Sequence, residues 1–296
     1  MRGQVQSSRS GGSKVQGRLA QILSRLVTNF ALDYQFATFG ALPLSARARW
    51  GYLPQKYLAI LRNQRSVTFL GKPFQYDNRL MPALLEGYPT ELAEMDRYVD
   101  FRTSTRILDV GANVGQFGFV LKTFFPDLEI FSFEPNPDAH ALLVSNAAQF
   151  RGWRCFPFGL ARTTQSRDFF VVEGKSAQGS VYAENAAVNL LQSGVKQLQV
   201  QLEYLSDAAL AAHQLPRDYD FVKIDVEGFE TDVLASLDRI RWRFMYLEVS
   251  LARQGQTTLE NVMKLIEQTS GQRPRLVHQQ HSGDAAEVLH VILARQ

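Results

Sequence analysis

The chain has 296 residues, of which 45% are hydrophobic and 21% charged, a balance typical of a globular protein with a sizeable core. This length accommodates one large domain with an appendage or two smaller domains. The single cysteine, Cys155, excludes an internal disulfide and fits a reducing compartment, so we expect a cytoplasmic protein.

The positive charge is concentrated at the N-terminus. Residues 1–32 hold five cations and no acid, whereas the whole chain carries a formal net charge of +3. The remainder therefore carries −2. A basic tail of this kind is not a basic domain built to hold nucleic acid, and we predict no nucleic-acid partner.

Residues 1–32 divide into a flexible part and an amphipathic part. "SSRSGGSK" is rich in Ser and Gly and is typical of disorder. "RLAQILSRLVTNFAL" places its apolar residues at helical spacing. We favour a helix docked on its own domain; the alternative is a basic helix (residues 18–32) that makes peripheral contact with a membrane or acts as a targeting segment. Arg25 interrupts the apolar run and argues against a secretory signal.

Residues 33–100 are predicted to form an N-terminal module. "SVTFLGKPFQYD" predicts two short strands around Gly71, and "PTELAEMDRYVD" predicts a helix that begins near Pro89. A larger domain over residues 101–296 is predicted to follow.

From Arg106 onward the pattern alternates between strands and helices. Predicted strands include "RILDV", "LEIFSFE", "WRCFPF", "YDFVKIDVE" and "RFMYLEVS", and a closing hairpin is formed by "PRLVHQQ" and "VLHVILAR". Such alternation predicts an α/β fold with a mostly parallel sheet, helices on both faces and an antiparallel strand from the hairpin. Ligands of these sheets bind beyond the carboxyl ends of the strands.

Polar residues follow the first two of these strands. Asp109 ends the first, and the loop behind it contains Gly111, Asn113 and Gly115. Glu134 ends the second, 23 residues after Gly111, a distance that suits an acid accepting hydrogen bonds from ribose hydroxyls. The following "PNP" contains Asn136, which we place with the same ligand site.

The glycine loop does not suit a dinucleotide. A pyrophosphate loop needs glycine at its first, third and sixth positions, and this loop offers Gly111, Asn113 and Gln116 there. A ligand with an adenosine half and a compact amino-acid group fits better, so we predict S-adenosylmethionine. Asp109 is expected to orient its ammonium group through water or backbone, or alternatively to organise its own turn.

The fourth strand, in "FVKIDVEGFE", carries ions on one side. Lys223, Asp225 and Glu227 alternate with apolar residues, so they share a side. One interpretation is a structural ion pair between Lys223 and Asp225. The other is catalysis: methyl transfer to a hydroxyl needs a base, for which Glu227 is our candidate, with Asp225 orienting a substrate. Glu248 ends the fifth strand as a supporting acid or a loop cap.

The segments "ILDVGANVGQFG", "FSFEPNP" and "VKIDVEGFE" resemble those of the FkbM-type methyltransferases, in order and spacing. The resemblance covers roughly Ser66 to Arg295. It implies a Rossmann-like class I methyltransferase fold with a seven-stranded sheet. It also implies S-adenosylmethionine-dependent O-methylation of a sugar, glycolipid or polyketide-type acceptor. The donor-site residues that it implies are Asp109, Gly111, Asn113, Gly115 and Glu134; Glu91 resembles an acid at the start of the domain, and Asp225 and Glu227 resemble active-site residues.

Three alternatives remain open. The first is an NAD-dependent oxidoreductase, although its Tyr-x-x-x-Lys pair, Tyr52 and Lys56, precedes the glycine loop, and Pro54 is expected to disrupt the helix between them. The second is a non-catalytic scaffold with the same fold. The third is a metal site, at His278 and His281 or at the strand-end acids, which we do not expect.

Overall fold

The structure is a computed structural model, and it describes residues 33–34, 36–38, 45–78, 80–172, 175–181, 194–250, 258–282 and 288–295. The predictions for residues 1–32 lie outside the described residues. The division of the chain at residues 32 and 100 stays a prediction.

The N-terminal part begins with helix α1 and continues through a hairpin into two further helices. Its elements are α1 (Ala46–Leu61), β1 (Ser66–Phe69), β2 (Lys72–Gln75), α2 (Met81–Leu84) and α3 (Gly87–Val99). β1 and β2 pair antiparallel with Phe69 opposite Lys72, as the sequence predicts. Gly71 adopts a φ of +79°, which the tight turn between the strands requires.

Helix α1 was not predicted, and it runs through Pro54. The expectation that Pro54 disrupts this helix is therefore wrong. Pro54 lies on the exposed face, one turn after Trp50, so water can solvate the Trp50 carbonyl that proline cannot bond. The Ser45 hydroxyl caps the helix start by accepting from the Ala48 N–H at 3.1 Å.

The remaining elements follow the predicted alternation closely. They are β3 (Arg106–Val110), α4 (Gln116–Phe124), β4 (Glu129–Phe133), α5 (Pro137–Ala147), β5 (Trp153–Phe156), β6 (Gly159–Leu160), β7 (Gln165–Val172), β8 (Lys175–Ser180), β9 (Val195–Glu203), α6 (Asp207–Ala212), β10 (Asp218–Ile224), α7 (Glu230–Ser236), β11 (Arg241–Ser250), α8 (Leu259–Ser270), β12 (Arg275–Ser282) and β13 (Val288–Ala294).

Seven strands form the main sheet in the order β12-β13-β11-β10-β3-β4-β5. β13 pairs antiparallel with both of its neighbours, and every other pairing in the sheet is parallel. This is the Rossmann-like class I methyltransferase architecture, so the predicted fold is confirmed. The chain leaves β3 for β4 on one side and later returns to β10 on the other, which creates a switch point where ligands bind.

Two hydrophobic clusters cover the two faces of this sheet. Leu108 and Val222 belong to the cluster that contains residues of α6, α7 and α8. Ile107 and Phe221 belong to the cluster that contains residues of α1, α3, α4 and α5. Neighbouring residues of one strand thus enter opposite clusters, as the alternation of side chains along a strand dictates.

A second sheet, in the order β6-β9-β7-β8, lies outside the main one. The segments "SRDFFVVE" and "KQLQVQLEYL" predict strands near β7 and β9, but nothing in them predicts that these strands form a separate sheet. Val200 and Leu202 of β9 join the α6–α8 cluster, so this sheet packs above the same face. Its position places Phe169 and Leu202 over the carboxyl ends of the main strands, where they line a cavity.

Candidate active site

A cavity of about 210 Å³ lies at the carboxyl ends of β3, β4 and β10. The loop after β3 forms one wall of the cavity, to which Gly111, Asn113 and Gln116 contribute. Glu134 faces it from the end of β4, and Asp225 and Glu227 face it from the end of β10. The structure therefore brings together most of the residues that the sequence assigns to the site.

The glycines of the loop serve packing within the protein. Gly111 has a φ of +77°, and a Cβ added to it would lie 1.9 Å from the Asp225 carbonyl oxygen. Gly115 has a φ of +90°, and a Cβ there would lie 2.8 Å from Leu143 Cδ1. A side chain at either position would clash with neighbouring groups. The positive φ would also strain any residue other than glycine. The loop is shaped by its fit to β10 and α5.

Glu134 is held by two backbone amides. Its Oε2 accepts from the Asn113 N–H and its Oε1 accepts from the Asn136 N–H, each at 2.8 Å. Burial raises the pKa of Glu134 to about 7, against the lowering effect of these two bonds. Each carboxylate oxygen has a second lone pair, so the ionised group can also accept from two ligand hydroxyls.

Asn136 supports this arrangement as a helix cap. Its Oδ1 accepts from the Asp138 N–H at 3.1 Å at the start of α5. Its contribution to the site is thus to fix the backbone N–H that orients Glu134.

Asp109, Lys223 and Asp225 form one ionic group, in which Asp109 and Lys223 are buried and Asp225 is partly exposed. Lys223 Nζ lies 3.2 Å from Asp225 Oδ2 and 3.6 Å from Asp109 Oδ1. Asp109 Oδ2 accepts from the Ser132 hydroxyl at 3.0 Å. Burial acts to lower the pKa of Lys223, but the carboxylates of Asp225 and Asp109 raise it above its usual value. Lys223 is therefore a permanent cation that holds Asp225.

Asp109 lies behind the glycine loop and has no exposed surface. Its neighbours Ser132 and Lys223 belong to the two strands beside β3. The structure thus links Asp109 to the ligand cavity through Lys223 and the Gly111 backbone, whose carbonyl accepts from Lys223 at 3.3 Å.

Glu227 and Glu248, together with Asp225, form an acidic wall of the cavity. Glu227 follows β10 in a left-handed conformation, with a φ of 51°, and lines the cavity. Glu248, in β11, lines the same cavity, and the charge of Asp225 together with burial raises its pKa well above the usual range. Closely placed carboxylates resist simultaneous ionisation, so this wall attracts a proton or a cation.

Glu91 lies in a second, smaller cavity beside the first. Its Oε1 accepts from the Tyr246 hydroxyl at 3.1 Å. This second cavity, of about 40 Å³, is also lined by Glu94, His278 and His290. The structure therefore separates Glu91 from the residues around the glycine loop.

Phe117, Phe133 and Phe229 follow or end the strands of the site, and an aromatic ring can face a cationic sulfur by cation–π attraction. Of these three, Phe117 and Phe229 line the main cavity. Lys223 Nζ lies 6.0 Å from the centroid of the Phe117 ring. Phe133 belongs to the core, where it stacks on Phe156 at a centroid distance of 4.8 Å. Two cavity residues, Tyr88 and Phe169, were not predicted. No spacing pattern singles them out, because elements far from the motifs carry them to the site.

Tyr52 and Lys56 lie one turn apart on α1 and are both buried. Tyr52 donates to the Pro82 carbonyl at 2.5 Å, and Lys56 lies 2.9 Å from Glu86 Oε2 and also pairs with Asp33. These bonds tie the N-terminal elements together. The pair therefore has a structural role.

The described part of the chain lacks two kinds of feature, a metal-binding cluster and a membrane-spanning helix. Within that part, no group of three or more His, Cys, Asp or Glu side chains could hold a metal ion. Within the same residues, no helix combines the length and apolarity that crossing a membrane requires.

The cavity fits S-adenosylmethionine. Glu134 can accept hydrogen bonds from two ribose hydroxyls. Asn113 occupies the loop position where a pyrophosphate-binding loop needs glycine, so the loop does not suit a dinucleotide. The wall that contains Asp225, Glu227 and Glu248 gives a negative environment for a cationic ligand.

The model of the "Methyltransferase FkbM domain" family matches residues 109–273, more than half of the chain. "Methyltransferase 1" of Beauveria bassiana is 28% identical over 155 residues, which cover 48% of this chain and 62% of that protein. "Methyltransferase sdnD" of Sordaria araneosa is 28% identical over 162 residues, 47% of this chain and 62% of that protein. The chain thus spans less than two thirds of these curated relatives.

The chain is also similar to two solved structures that contain the methyl donor. Aeropyrum pernix fibrillarin with natively bound S-adenosyl-L-methionine gives a TM-score of 0.42 at 11% identity, covering 78% of this chain and 82% of its own. M. jannaschii TYW2 in complex with AdoMet gives a TM-score of 0.42 at 13% identity, and the match covers 77% of this chain and 83% of that chain.

Proposed function

The chain belongs to the FkbM methyltransferase family, whose cofactor is S-adenosylmethionine, and on this premise we propose that it methylates a hydroxyl group of a small-molecule or glycan acceptor. The observation that carries the proposal is the placement of Glu134 and of the acidic pair Asp225 and Glu227 in the walls of one cavity. One acid is suited to holding a ribose and the others to activating an alcohol.

Bound S-adenosylmethionine supplies an electrophilic methyl group on a cationic sulfur. Glu134 holds the ribose hydroxyls, oriented by the amides of Asn113 and Asn136. Gly111, Asn113 and Gly115 shape the loop beside it, and Asp109 anchors Lys223 beneath that loop. These residues bind and orient the donor.

Glu227 removes the proton of the acceptor hydroxyl. An alcohol is a weak nucleophile until its proton is taken, and a carboxylate in the cavity wall can take it. Asp225 is the weaker candidate for base, because Lys223 already pairs with its carboxylate at 3.2 Å. Asp225 instead orients the acceptor, and Lys223 holds Asp225 in place.

The acceptor is expected to combine an apolar body with the hydroxyl. Phe169, Val181 and Leu202, which lie in or next to the strands of the second sheet, give the cavity an apolar lining. This lining favours a ring or alkyl surface, which saccharide faces, glycolipids and polyketides present, and it excludes water from the reacting atoms.

The test combines donor binding with methyl transfer. Calorimetry with S-adenosylmethionine and with NADH should show binding of the first alone. Incubation with methyl-labelled donor and fractionated glycans, lipids and metabolites should then label a hydroxyl-bearing acceptor. Binding of NADH without S-adenosylmethionine would reject the proposal, and label recovered only on nitrogen or carbon would reject O-methylation.

We propose in addition that the protein contacts an anionic membrane surface from a cytoplasmic position. Helix α1 exposes an apolar stripe at helical spacing: Trp50, Pro54, Tyr57, Leu58 and Leu61. Arg47 and Arg62 lie exposed at the two ends of this helix. Asp33, the first described residue after the basic segment 18–32 in the sequence, accepts from the Tyr57 hydroxyl at 2.5 Å and so lies at the stripe. Apolar surface beside cations suits an anionic lipid interface.

A further inference from the structure

A row of polar side chains continues from the active site across the sheet, beyond the main cavity. This polar row consists of Lys223, Tyr246, Glu248 and His290. Tyr246 of β11 lies opposite Lys223 of β10, and Glu248 lies opposite His290 of β13. Side chains directly opposite each other on neighbouring strands have their Cβ atoms about 5 Å apart and share a side. Ionisable groups therefore run without interruption from Lys223 to His290.

The Tyr246 hydroxyl stands between two titratable partners. It lies 3.1 Å from Glu91 Oε1 and is also hydrogen-bonded to His290 Nδ1. A phenol has only one proton to donate. If it donates to ionised Glu91, His290 must donate its Nδ1–H to the phenol oxygen. If it donates to His290, a protonated Glu91 must donate to the phenol.

The far end of this row reaches water. His290 and Glu91 line the small cavity together with His278 and Gln280, and Gln280 is exposed on β12. A polar space of about 40 Å³ is large enough for a water molecule with several partners. Glu91, at the near end, lies on α3 one turn after Tyr88, which lines the main cavity.

We propose that Glu91, Tyr246 and His290 share one transferable proton, and that His290 thereby controls the charge of Glu91 beside the methyl-transfer site. This inference rests on the proposed function, because its consequence is felt by a cationic donor. The three are positioning residues: they act through the charge near Lys223 and Asp225 and make no contact with the reacting atoms.

The transfer is balanced within the three residues. The Glu91 carboxyl gives its proton to the Tyr246 oxygen while Tyr246 passes its own hydroxyl proton to His290 Nδ1. The carboxyl becomes a carboxylate, the neutral imidazole becomes an imidazolium, and the phenol ends as a phenol. The net charge of the three residues does not change, but a negative charge now lies nearer the active site.

Burial resists this charge separation in the ligand-free protein. It raises the pKa of Glu91, although Tyr246 and Lys223 lower it, and it lowers the pKa of His290, although Asp225 and Glu94 raise it. A positive ligand beside Asp225 would favour the ionised carboxylate and draw the proton outward. The ionisable groups that face the three residues are Tyr88, Glu94 and Tyr98 of α3, Lys223 and Asp225 of the β10 end, Glu248 of β11 and His278 of β12.

The test compares two ligands that differ in charge. S-adenosylhomocysteine lacks the methyl group and the positive charge of S-adenosylmethionine. The full chain, labelled with ¹⁵N-histidine, is titrated with pH by NMR with each ligand, and the His290 signal is identified by its loss in His290→Gln. We expect the pKa of His290 to be higher by roughly half a unit or more with S-adenosylmethionine. Tyr246→Phe should abolish the difference. Glu91→Gln should abolish it as well, and it replaces Tyr246→Phe as the test if Tyr246→Phe folds poorly.

Tyr98→Phe is the matched control. Its hydroxyl lies 3.2 Å from His278 Nδ1, on the neighbouring strand, so its removal should leave the His290 difference intact. Equal His290 titrations with both ligands in the unmodified protein, or an unchanged difference in both Tyr246→Phe and Glu91→Gln, would overturn the proton sharing. Failure of both ligands to bind would instead reject the proposed donor.

Discussion

Gly111 and Asp225 touch through their backbones: a Cβ on Gly111 would lie 1.9 Å from the Asp225 carbonyl oxygen. The contact joins the loop after β3 to the end of β10, where the Asp225 N–H also donates to the Val110 carbonyl at 3.1 Å. The donor-side loop and the acidic wall are therefore fixed to each other by main chain, and side chains only complete the site.

We expect Gly111→Ala to damage the protein at this contact. The new methyl group meets backbone at a φ of +77°, which alanine adopts poorly. The free energy of unfolding should fall by roughly 2 kcal/mol or more. Gly51→Ala is the control, since nothing lies within 4 Å of a Cβ there and the residue is inside α1. Chemical denaturation measures both. Equal stability of the two variants would contradict the contact.

Glu227→Gln should separate binding from turnover. The amide keeps the size of the side chain but cannot take a proton, so methyl transfer should fall by about 10²–10⁴-fold while donor affinity is preserved. Asp225→Asn removes the partner of Lys223 at 3.2 Å and should also weaken acceptor binding. Calorimetry and initial rates of label transfer measure the two effects. Full turnover in Glu227→Gln would dismiss Glu227 as the base.

Donor affinity should rise with pH through the titration of Glu134. Burial raises its pKa to about 7, and the ionised form offers more acceptors to the ribose hydroxyls than the protonated form. We expect the Kd for S-adenosylmethionine to fall by up to about tenfold between pH 6 and pH 8. Glu134→Gln should bind weakly and lose this part of the pH dependence. A Kd whose pH dependence matches in both proteins would contradict the role of Glu134.

The unfolding free energy should show the opposite trend. A carboxyl whose pKa is raised in the folded state contributes stability that is full below its unfolded pKa, 4.5, and is lost as pH rises through about 7. Burial also raises the pKa of Glu86 to about 7, so stability alone cannot isolate Glu134. Binding measurements on Glu134→Gln are the more specific observation.

Membrane contact should depend on the stripe of α1. Trp50 is 58% exposed and Leu61 77% exposed, so Trp50→Ser with Leu61→Ser should reduce sedimentation with anionic vesicles without loss of stability. Val144→Ser, which changes an apolar residue 45% exposed on α5, should have no effect. Deletion of residues 1–32 should weaken sedimentation further. Unchanged sedimentation in both the double variant and the deletion would reject the membrane surface.

Local chemistry made much of the site predictable from the sequence. Asp109, Glu134 and Asp225 break the apolar pattern of buried strands, and a parallel sheet gathers strand ends at one edge. The order of strands and helices from Arg106 onward follows from hydrophobic periodicity and from the glycines and prolines between the elements. The fold and the methyltransferase family of the chain were therefore determined by features close together in the sequence.

Which of these groups touch depends on contacts between distant parts of the chain. Whether Lys223 binds Asp225 alone or also Asp109 depends on β3 and β10 being neighbours, which no local pattern encodes. The contact between Glu91 and Tyr246 joins residues 155 positions apart. The pairing of strands in the second sheet could likewise not be predicted from the sequence, because strand partners depend on packing over the whole chain. Local sequence sets the kinds of groups at the strand ends, whereas long-range packing sets their partners, their burial and hence their pKa values.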